Sequence, residues 1–446
     1  MILLHGLGGA KDLPVPAPLA IAGGTAALVV SFCVLALAWR QPRYDAAHQG
    51  RPLPSLLAAV LDGRPFAWLL RVLGLLFFGW STWALVSGPD NNNNPALGVF
   101  YVLVWVGVVP ASLLFGRVAR AVSPVRTINL ALARLRGVDP GAGLYAYPAR
   151  LGQWPAAIGL FAFVWQELAN PDQVALGSIR LWLAVYVAVM LIGAALFGDV
   201  WLERADPFEV YSDLLAHLSV WGRLPVQPGP NGRPGRLVVR TPLSNLDALV
   251  PRPGTVAVVA VLFGSTAYDS YKDTLRWVNF IEGLGVNSEL LNTAALLGFC
   301  LVVGITFTIA ARCTAVGDRI AHRALPRVFA HAVVPIIVGY MTAHYLSYFV
   351  SQGQQTLTFL SDPLVRGDDY LGTAGLSPNL WLNFHPTLLA SVKVAAVVLG
   401  HVVGAVAAHD RAMRLLPARH QVTGQLGMLV VMTCYTATGL YLLFGI

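Results

Sequence analysis

Two long apolar stretches near the end of the chain decide the fold: residues 329–353, FAHAVVPIIVGYMTAHYLSYFVSQG, and residues 385–412, HPTLLASVKVAAVVLGHVVGAVAAHDRA. Each has the length and apolar content of a helix that crosses a lipid bilayer. The first nevertheless contains His331 and His344, and the second contains Lys393 and His401. Ionisable side chains are costly in hydrocarbon, so each of the four is a candidate functional residue.

The composition of the whole chain is that of a membrane protein. Of its 446 residues, 56% are hydrophobic and 12% are charged, whereas about a quarter of the residues in soluble domains are charged. The net charge of +8 does not indicate nucleic-acid binding, because the basic residues are scattered in short loops between apolar runs. The predicted partners are therefore the lipid bilayer and a small molecule or ion, and no nucleic acid.

Apolar runs of about 18–25 residues, the length that spans a bilayer, recur along the chain. They predict an all-α fold, a polytopic transmembrane helix bundle of about ten spans that forms a single integral membrane domain over residues 1–446. The predicted spans are 18–39, 67–87, 97–116, 152–169, 177–199, 254–271, 289–311, 329–350, 386–408 and 425–444.

The basic residues between the spans are distributed unequally. One set of loops contains 23 of the 30 Lys and Arg residues, and the opposite set contains Lys11, Lys272, Arg276 and Arg366. Loops rich in Lys and Arg remain on the cytoplasmic side. The pattern predicts a multi-pass protein of the plasma (cytoplasmic) membrane with both termini extracytoplasmic.

Three segments between the spans have a distinctive character. Residues 117–151 include Val125 and Leu132 at helical spacing with arginines between, which predicts an amphipathic helix on the cytoplasmic membrane surface. Residues 200–253 are the longest cytoplasmic insertion, with a turn and a short strand. Residues 351–385 are long enough to fold over the outer mouth of the bundle.

Orientation allows a depth to be assigned to each ionisable residue. At 1.5 Å per residue, His344 lies about 9 Å below the outer surface, and Lys393 on the returning helix lies at a similar level. Two other spans end at this level with Glu167 and Asp269. We therefore expect Glu167, Asp269, His344 and Lys393 to form a candidate catalytic cluster beneath the outer loop, while His401 belongs to the inner half.

Several chemistries fit such a cluster. Glu167, Asp269 and His344, with His401 as a weaker candidate, could be ligands of a divalent metal that activates water. Alternatively, the two acids could pair with Lys393 and His344 as a proton or ion relay of the transporter kind. In a third interpretation the acids mark helix ends at the interface, Lys393 extends outward, and the chain is an accessory subunit of a redox or metal-handling complex.

Haem is a fourth candidate cofactor, because two antiparallel helices carry pairs of histidines. The pairs would be His344 with His385 and His331 with His401. At 100° per residue the two histidines of each helix are turned about 140–160° apart. Two haems in one groove require them on one face, so the helical phase argues against haem.

Several stretches together resemble one family. They are FVWQEL, LFGDVWLERADPFEVYS, LFGSTAYDS, VPIIVGYMTAHYLSYFVSQGQ, LSDPLVRG and LGHVVGAVAAHDRA, with HGLGGAKDLPVPAPLAI at the N-terminus. They resemble the actinobacterial multi-pass membrane proteins catalogued as fenitrothion hydrolase, and the resemblance covers nearly the whole chain.

The resemblance implies hydrolysis of an organophosphate triester with release of a nitrophenol. The resemblance implies that the functional positions of the family correspond to Glu167, Asp269, His344, His401 and Asp362 in this chain. The sequence contains no His-x-His pair and no G-x-S-x-G elbow, which are signatures of soluble hydrolases. The resemblance and the predicted cluster together give the expected function, a metal-dependent ester hydrolase with an outward-facing site around His344. Transport and an accessory role are the alternatives.

Overall fold

The computed structural model describes residues 9–225, 235–314, 321–417 and 420–445. These residues form an all-α fold that is 71% helical. Among them, seven helices are long and apolar enough to cross a membrane, and a helix pair bent by 44° makes eight if it is a single span. The chain is therefore a multi-pass membrane protein.

Nineteen α-helices are present among the described residues. They are α1 (Ala17–Ala38), α2 (Ser55–Leu61), α3 (Arg64–Ser87), α4 (Pro95–Gly98), α5 (Val108–Phe115), α6 (Val118–Val122), α7 (Pro124–Leu135), α8 (Trp154–Leu168), α9 (Leu176–Phe197), α10 (Asp199–Ala205), α11 (Pro207–Ala216), α12 (Pro242–Leu246), α13 (Thr255–Lys272), α14 (Leu275–Leu284), α15 (Ser288–Arg312), α16 (Leu325–Phe329), α17 (Val334–Phe359), α18 (Pro386–Leu415) and α19 (Leu426–Phe444).

The remaining elements are short. A π-helix, Val99–Val106, precedes α5, and 3-10 segments occur at Ala10–Asp12, His322–Ala324, Ala330–Val333, Trp381–Phe384 and Thr423–Gln425. Three strands, β1 (Arg51–Pro52), β2 (Trp221–Arg223) and β3 (Leu237–Val239), pair antiparallel in the order β1-β3-β2.

Helices occupy all ten positions at which the sequence predicts spans, but α8 and α13 do not have the length and hydropathy of a span. Helix α8 has only 15 residues, and the second half of α13 is polar. Helix α13 packs inside the bundle, and thirteen of its residues are buried. A helix that other helices surround need not match the hydrocarbon around the protein, which explains the polar sequence of α13. Helix α8 is apolar but short, and it exposes Trp154 and Ile158.

Helices α17 and α18 are packed closely at the centre of the bundle. A Cβ atom added to Gly400 would lie 2.6 Å from the Pro335 carbonyl oxygen, and one added to Gly404 would lie 2.5 Å from that of Ala332. A Cβ on Gly339 would collide with the Ala396 carbonyl. The small residues Gly400 and Gly404 therefore allow the two backbones to approach closely.

The loops rich in arginine meet at the end of the bundle that holds the sheet, which we call the sheet end. Arg126 donates to both carboxylate oxygens of Glu209 at 2.6 and 2.9 Å. Arg120 donates to Glu209 at 3.1 Å, and Arg252 donates to Glu203 at 2.9 Å. These ion pairs tie α6, α7, α10 and α11 to one another.

The predicted segments at this end differ in detail from the structure. The amphipathic helix of residues 117–151 is present as α7, with Leu132 and Leu135 exposed and its polar Asn129 facing Asp199. In residues 200–253, helix α11 is not a surface element, because nine of its ten residues are buried. The predicted strand is β3, and the turn before it, residues 226–234, lies outside the described residues.

Asp206, the N-cap of α11, is a buried acid whose surroundings raise its pKa. Its side chain is 2% exposed and accepts hydrogen bonds from the Tyr186 hydroxyl and from the backbone N–H groups of Phe208 and Glu209. Burial, with a contribution from the charge of Glu209, raises the pKa of Asp206 to about 7. Between about pH 4 and pH 7, Asp206 is therefore protonated in the folded state and ionised in the unfolded chain.

We expect the stability of the protein to fall as the pH rises from about 4 to about 7, because the folded state binds more protons than the unfolded state in this range. Asp206→Asn keeps a neutral side chain of the same shape and should flatten that dependence. The check is the thermal unfolding midpoint in detergent at several pH values. The exposed Asp139→Asn is the control, and equal slopes for Asp206→Asn and the native protein would contradict the expectation.

Candidate functional site

A hydrogen-bonded pair of ionisable side chains joins α13 to α17 at the end of the bundle opposite the sheet. His344 Nε2 lies 2.8 Å from Asp269 Oδ2, and the Tyr345 hydroxyl donates to the same oxygen at 2.7 Å. His344 is 7% exposed and Asp269 is 4% exposed. The sequence predicts that these two residues share a site, and the structure places them in contact.

His344 lies between an acidic side chain and a hydroxyl. Asp269 Oδ2 accepts from the Tyr345 hydroxyl and lies against His344 Nε2, so this nitrogen is the one positioned to donate to the carboxylate. Ser270 Oγ lies 3.1 Å from His344 Nδ1 and 3.1 Å from the Tyr340 hydroxyl. The two ring nitrogens thus contact a carboxylate on one side and a serine hydroxyl on the other.

Ser270 is the site residue that the sequence analysis does not identify. It follows Asp269 directly, and α13 approaches α17 so that both residues contact His344. Its Oγ also lies 3.2 Å from the Thr266 carbonyl one turn earlier. A serine that bonds a carbonyl of its own helix is common. Ser270 differs from such serines only because the packing of α13 on α17 brings it to His344. Ser270 is partly exposed, whereas its partners are buried.

Glu167 and Lys272 lie beside this arrangement. Lys272 Nζ is 4.0 Å from Asp269 Oδ1, and Glu167 is within electrostatic range of both Asp269 and Lys272. Glu167 Oε2 is buried and has no hydrogen-bond partner among the described residues. The predicted neighbourhood of Glu167 and Asp269 is thus present, but Glu167 is not bonded to His344.

Lys393 belongs to a different contact from the one expected. It is 4% exposed on α18, and Asp12 of the N-terminal 3-10 segment is its electrostatic partner. Its depth agrees with that of His344, but depth does not fix the rotation of a helix about its axis. The grouping of Lys393 with Asp269 and Glu167 stays a prediction.

The other histidines are separate from His344. His401 is fully buried, and its Nδ1 bonds the Val397 carbonyl of its own helix. His331 has the carbonyls of Val328 and Ala407 against its two nitrogens, and the exposed His385 stacks on Trp381. Both ring nitrogens of His331 and Nδ1 of His401 thus contact backbone carbonyls.

The metal-ligand set predicted for this site is not assembled in the part of the chain that the structure describes. Within it, no group of three His, Cys, Asp or Glu side chains is placed to hold a metal ion. The two closest candidates, Asp269 and His344, bond each other through Oδ2 and Nε2.

The segment 351–385 differs from the loop that the sequence predicts. Its first nine residues continue α17 to Phe359. Asp362 then closes a turn by accepting the N–H groups of Arg366 at 2.8 Å and Gly367 at 2.7 Å. Asp362 is therefore a structural residue of this turn and does not contact His344.

A cavity of about 470 Å³ lies next to the site, at the same end of the bundle. Its lining includes Lys272, the amides Asn170 and Asn292, and the acidic Glu282 and Glu289. Because Lys272 borders both the cavity and Asp269, water and small polar molecules in the cavity are one side chain away from the buried carboxylate.

Comparison of the chain with protein-family models, curated proteins and solved structures gave no match.

Proposed function

We propose that the protein is a membrane-embedded hydrolase of esters in which Ser270 is the nucleophile, His344 the general base and Asp269 the carboxylate that orients it. The observation that supports this function is the contact of Ser270 Oγ with Nδ1 of His344, while Asp269 contacts Nε2 of the same ring. Nucleophile, base and orienting acid in this sequence of contacts define acyl-transfer sites on unrelated folds.

The chemistry requires two displacements. Ser270 Oγ attacks the ester carbonyl or phosphoryl centre and its proton moves to His344 Nδ1, which returns it to the leaving alkoxide or phenolate. A water molecule then attacks the Ser270 ester and loses a proton to His344, which passes that proton to Ser270 Oγ as the acid is released. The Tyr340 hydroxyl, 3.1 Å from Ser270 Oγ, is the donor available for the oxygen that gains negative charge.

The substrate class follows from the resemblance to the fenitrothion hydrolase family, which favours esters with a nitrophenol leaving group. The test is release of nitrophenol from a p-nitrophenyl ester and from a p-nitrophenyl phosphotriester by the purified protein. Activity that persists after metal chelation supports the serine mechanism. Loss of activity on chelation and its return with a divalent cation would favour the metal site built on Glu167, Asp269 and His344.

We further propose that both termini and the Ser270 site face the extracytoplasmic side of the plasma membrane. The sheet end is rich in arginine, and loops rich in Lys and Arg remain in the cytoplasm. In a cysteine-free background, Ala374→Cys should react with an impermeant maleimide on intact cells, and Ala142→Cys at the sheet end should react only after lysis. The opposite pattern would reverse the orientation.

A further inference from the structure

A groove runs between α8 and α9 on the surface of the bundle. Its volume is about 610 Å³. It follows α9 from Ser178 to Met190, which is about 18 Å at 1.5 Å per residue. Its walls include Ile158 and Leu181, and these two side chains are about two-thirds exposed. Helix α9 is among the membrane-spanning helices, so the groove faces lipid rather than water.

The polarity of the groove changes along its length. Every described residue that lines it is uncharged. At the end opposite the sheet, Asn170 Nδ2 donates to Gln166 Oε1 and to Ser178 Oγ, both at 2.8 Å, and Ser178 donates to Gln166 Oε1 at 2.9 Å. The groove therefore has an apolar body and one polar end, which lies at the level of the membrane interface.

Gln166 gives this polar end a capacity to bind a ligand. Its side chain is 3% exposed, and within the described residues its Nε2 has a single long hydrogen bond, 3.5 Å to the Tyr101 hydroxyl. A buried amide nitrogen has two hydrogens to donate, and leaving one unsatisfied is costly. An acceptor oxygen of a bound molecule would satisfy it.

We infer that this groove binds a long-chain amphiphile from the bilayer, with the chain between α8 and α9 and an uncharged polar group with an acceptor oxygen at Gln166, Asn170 and Ser178. The absence of charge among the described lining residues selects against a charged head group, because its desolvation would not be compensated there. This site is independent of Ser270, which lies on α13 facing α17.

The inference is tested by photolabelling. The full-length protein in phosphatidylcholine nanodiscs is irradiated with a monoacylglycerol that has a diazirine in mid-chain, and the labelled peptides are identified by mass spectrometry. We expect the label on α8 and α9, and more of it than with an anionic phosphate ester of the same chain. Ser270→Ala should leave the labelling unchanged, which separates this site from the proposed hydrolysis.

Two matched substitutions decide whether the groove itself is occupied. Ala162→Phe fills the groove, because Ala162 lines it, and should reduce labelling about fivefold, a change of about 1 kcal/mol in binding. Ala188→Phe adds the same ring to an exposed position of α9 outside the groove and should have no effect. Labelling spread evenly over α1, α3 and α15, or insensitive to Ala162→Phe, would overturn the inference.

Discussion

Ser270→Ala is expected to lower kcat for nitrophenyl ester hydrolysis about 10³-fold, a loss of about 4 kcal/mol in transition-state stabilisation. The alanine cannot form the covalent intermediate, and His344 then has no hydroxyl to deprotonate. KM should change little, because Ser270 is a small side chain at the edge of the site rather than the main contact of the substrate. The measurement is steady-state hydrolysis by the purified protein.

The control lies on the same helix. Ser265 is buried on α13, and its hydroxyl has only a 3.4 Å contact with the Leu262 carbonyl. Ser265→Ala should therefore retain near-native kcat. His344→Ala should cost about as much as Ser270→Ala, and the double variant should cost little more, because residues that act as one unit are not additive. Independent, multiplying effects would contradict the assignment of a shared role.

Arg126→Met is expected to destabilise the protein by about 3 kcal/mol, the effect of leaving a buried charge without its partner. Arg126 has 11% of its side chain exposed and makes two hydrogen bonds to Glu209, which is 3% exposed. After the substitution, Glu209 keeps only Arg120 at 3.1 Å. The measurement is the thermal or chemical unfolding midpoint in detergent.

An exposed ion pair provides the comparison. Arg117 bonds Asp213 at 2.6 Å, but 58% of the Arg117 side chain is exposed. Arg117→Met should therefore cost less than about 1 kcal/mol. Arg126→Met combined with Glu209→Leu should recover much of the loss, because no charge then remains buried. Equal destabilisation by Arg117→Met and Arg126→Met would show that burial of Glu209 is not the cause.

The membrane helices are predictable from the sequence because a helix that faces hydrocarbon must be apolar over the length that crosses the bilayer. The exceptions are elements that protein surrounds. Helix α13 has a polar second half, and α11 has Glu209 and Ser212 among its buried residues. Their burial is determined by neighbouring helices, which a single sequence does not reveal. For this reason α11 is assigned to a cytoplasmic insertion from the sequence although it packs into the bundle.

The site is predictable in depth but not in rotation. Counting residues from the span ends correctly brings Asp269 and His344 together. The same counting predicts Lys393 at this level, and the structure gives it an electrostatic contact with Asp12. It also gives no reason to select Ser270, since a serine near a helix end resembles any other until the facing helix is known. Three-dimensional packing supplies the missing information, namely which side of each helix faces which neighbour.

The most direct measurement of the central claim is the site of covalent modification by a fluorophosphonate, which reacts with serines activated by a neighbouring base. Peptide mass spectrometry of the treated protein should find one adduct, on Ser270, and His344→Ala should abolish it while Ser265→Ala leaves it intact. Hydrolysis that persists in Ser270→Ala, or an adduct at another residue with Ser270 unmodified, would contradict the account.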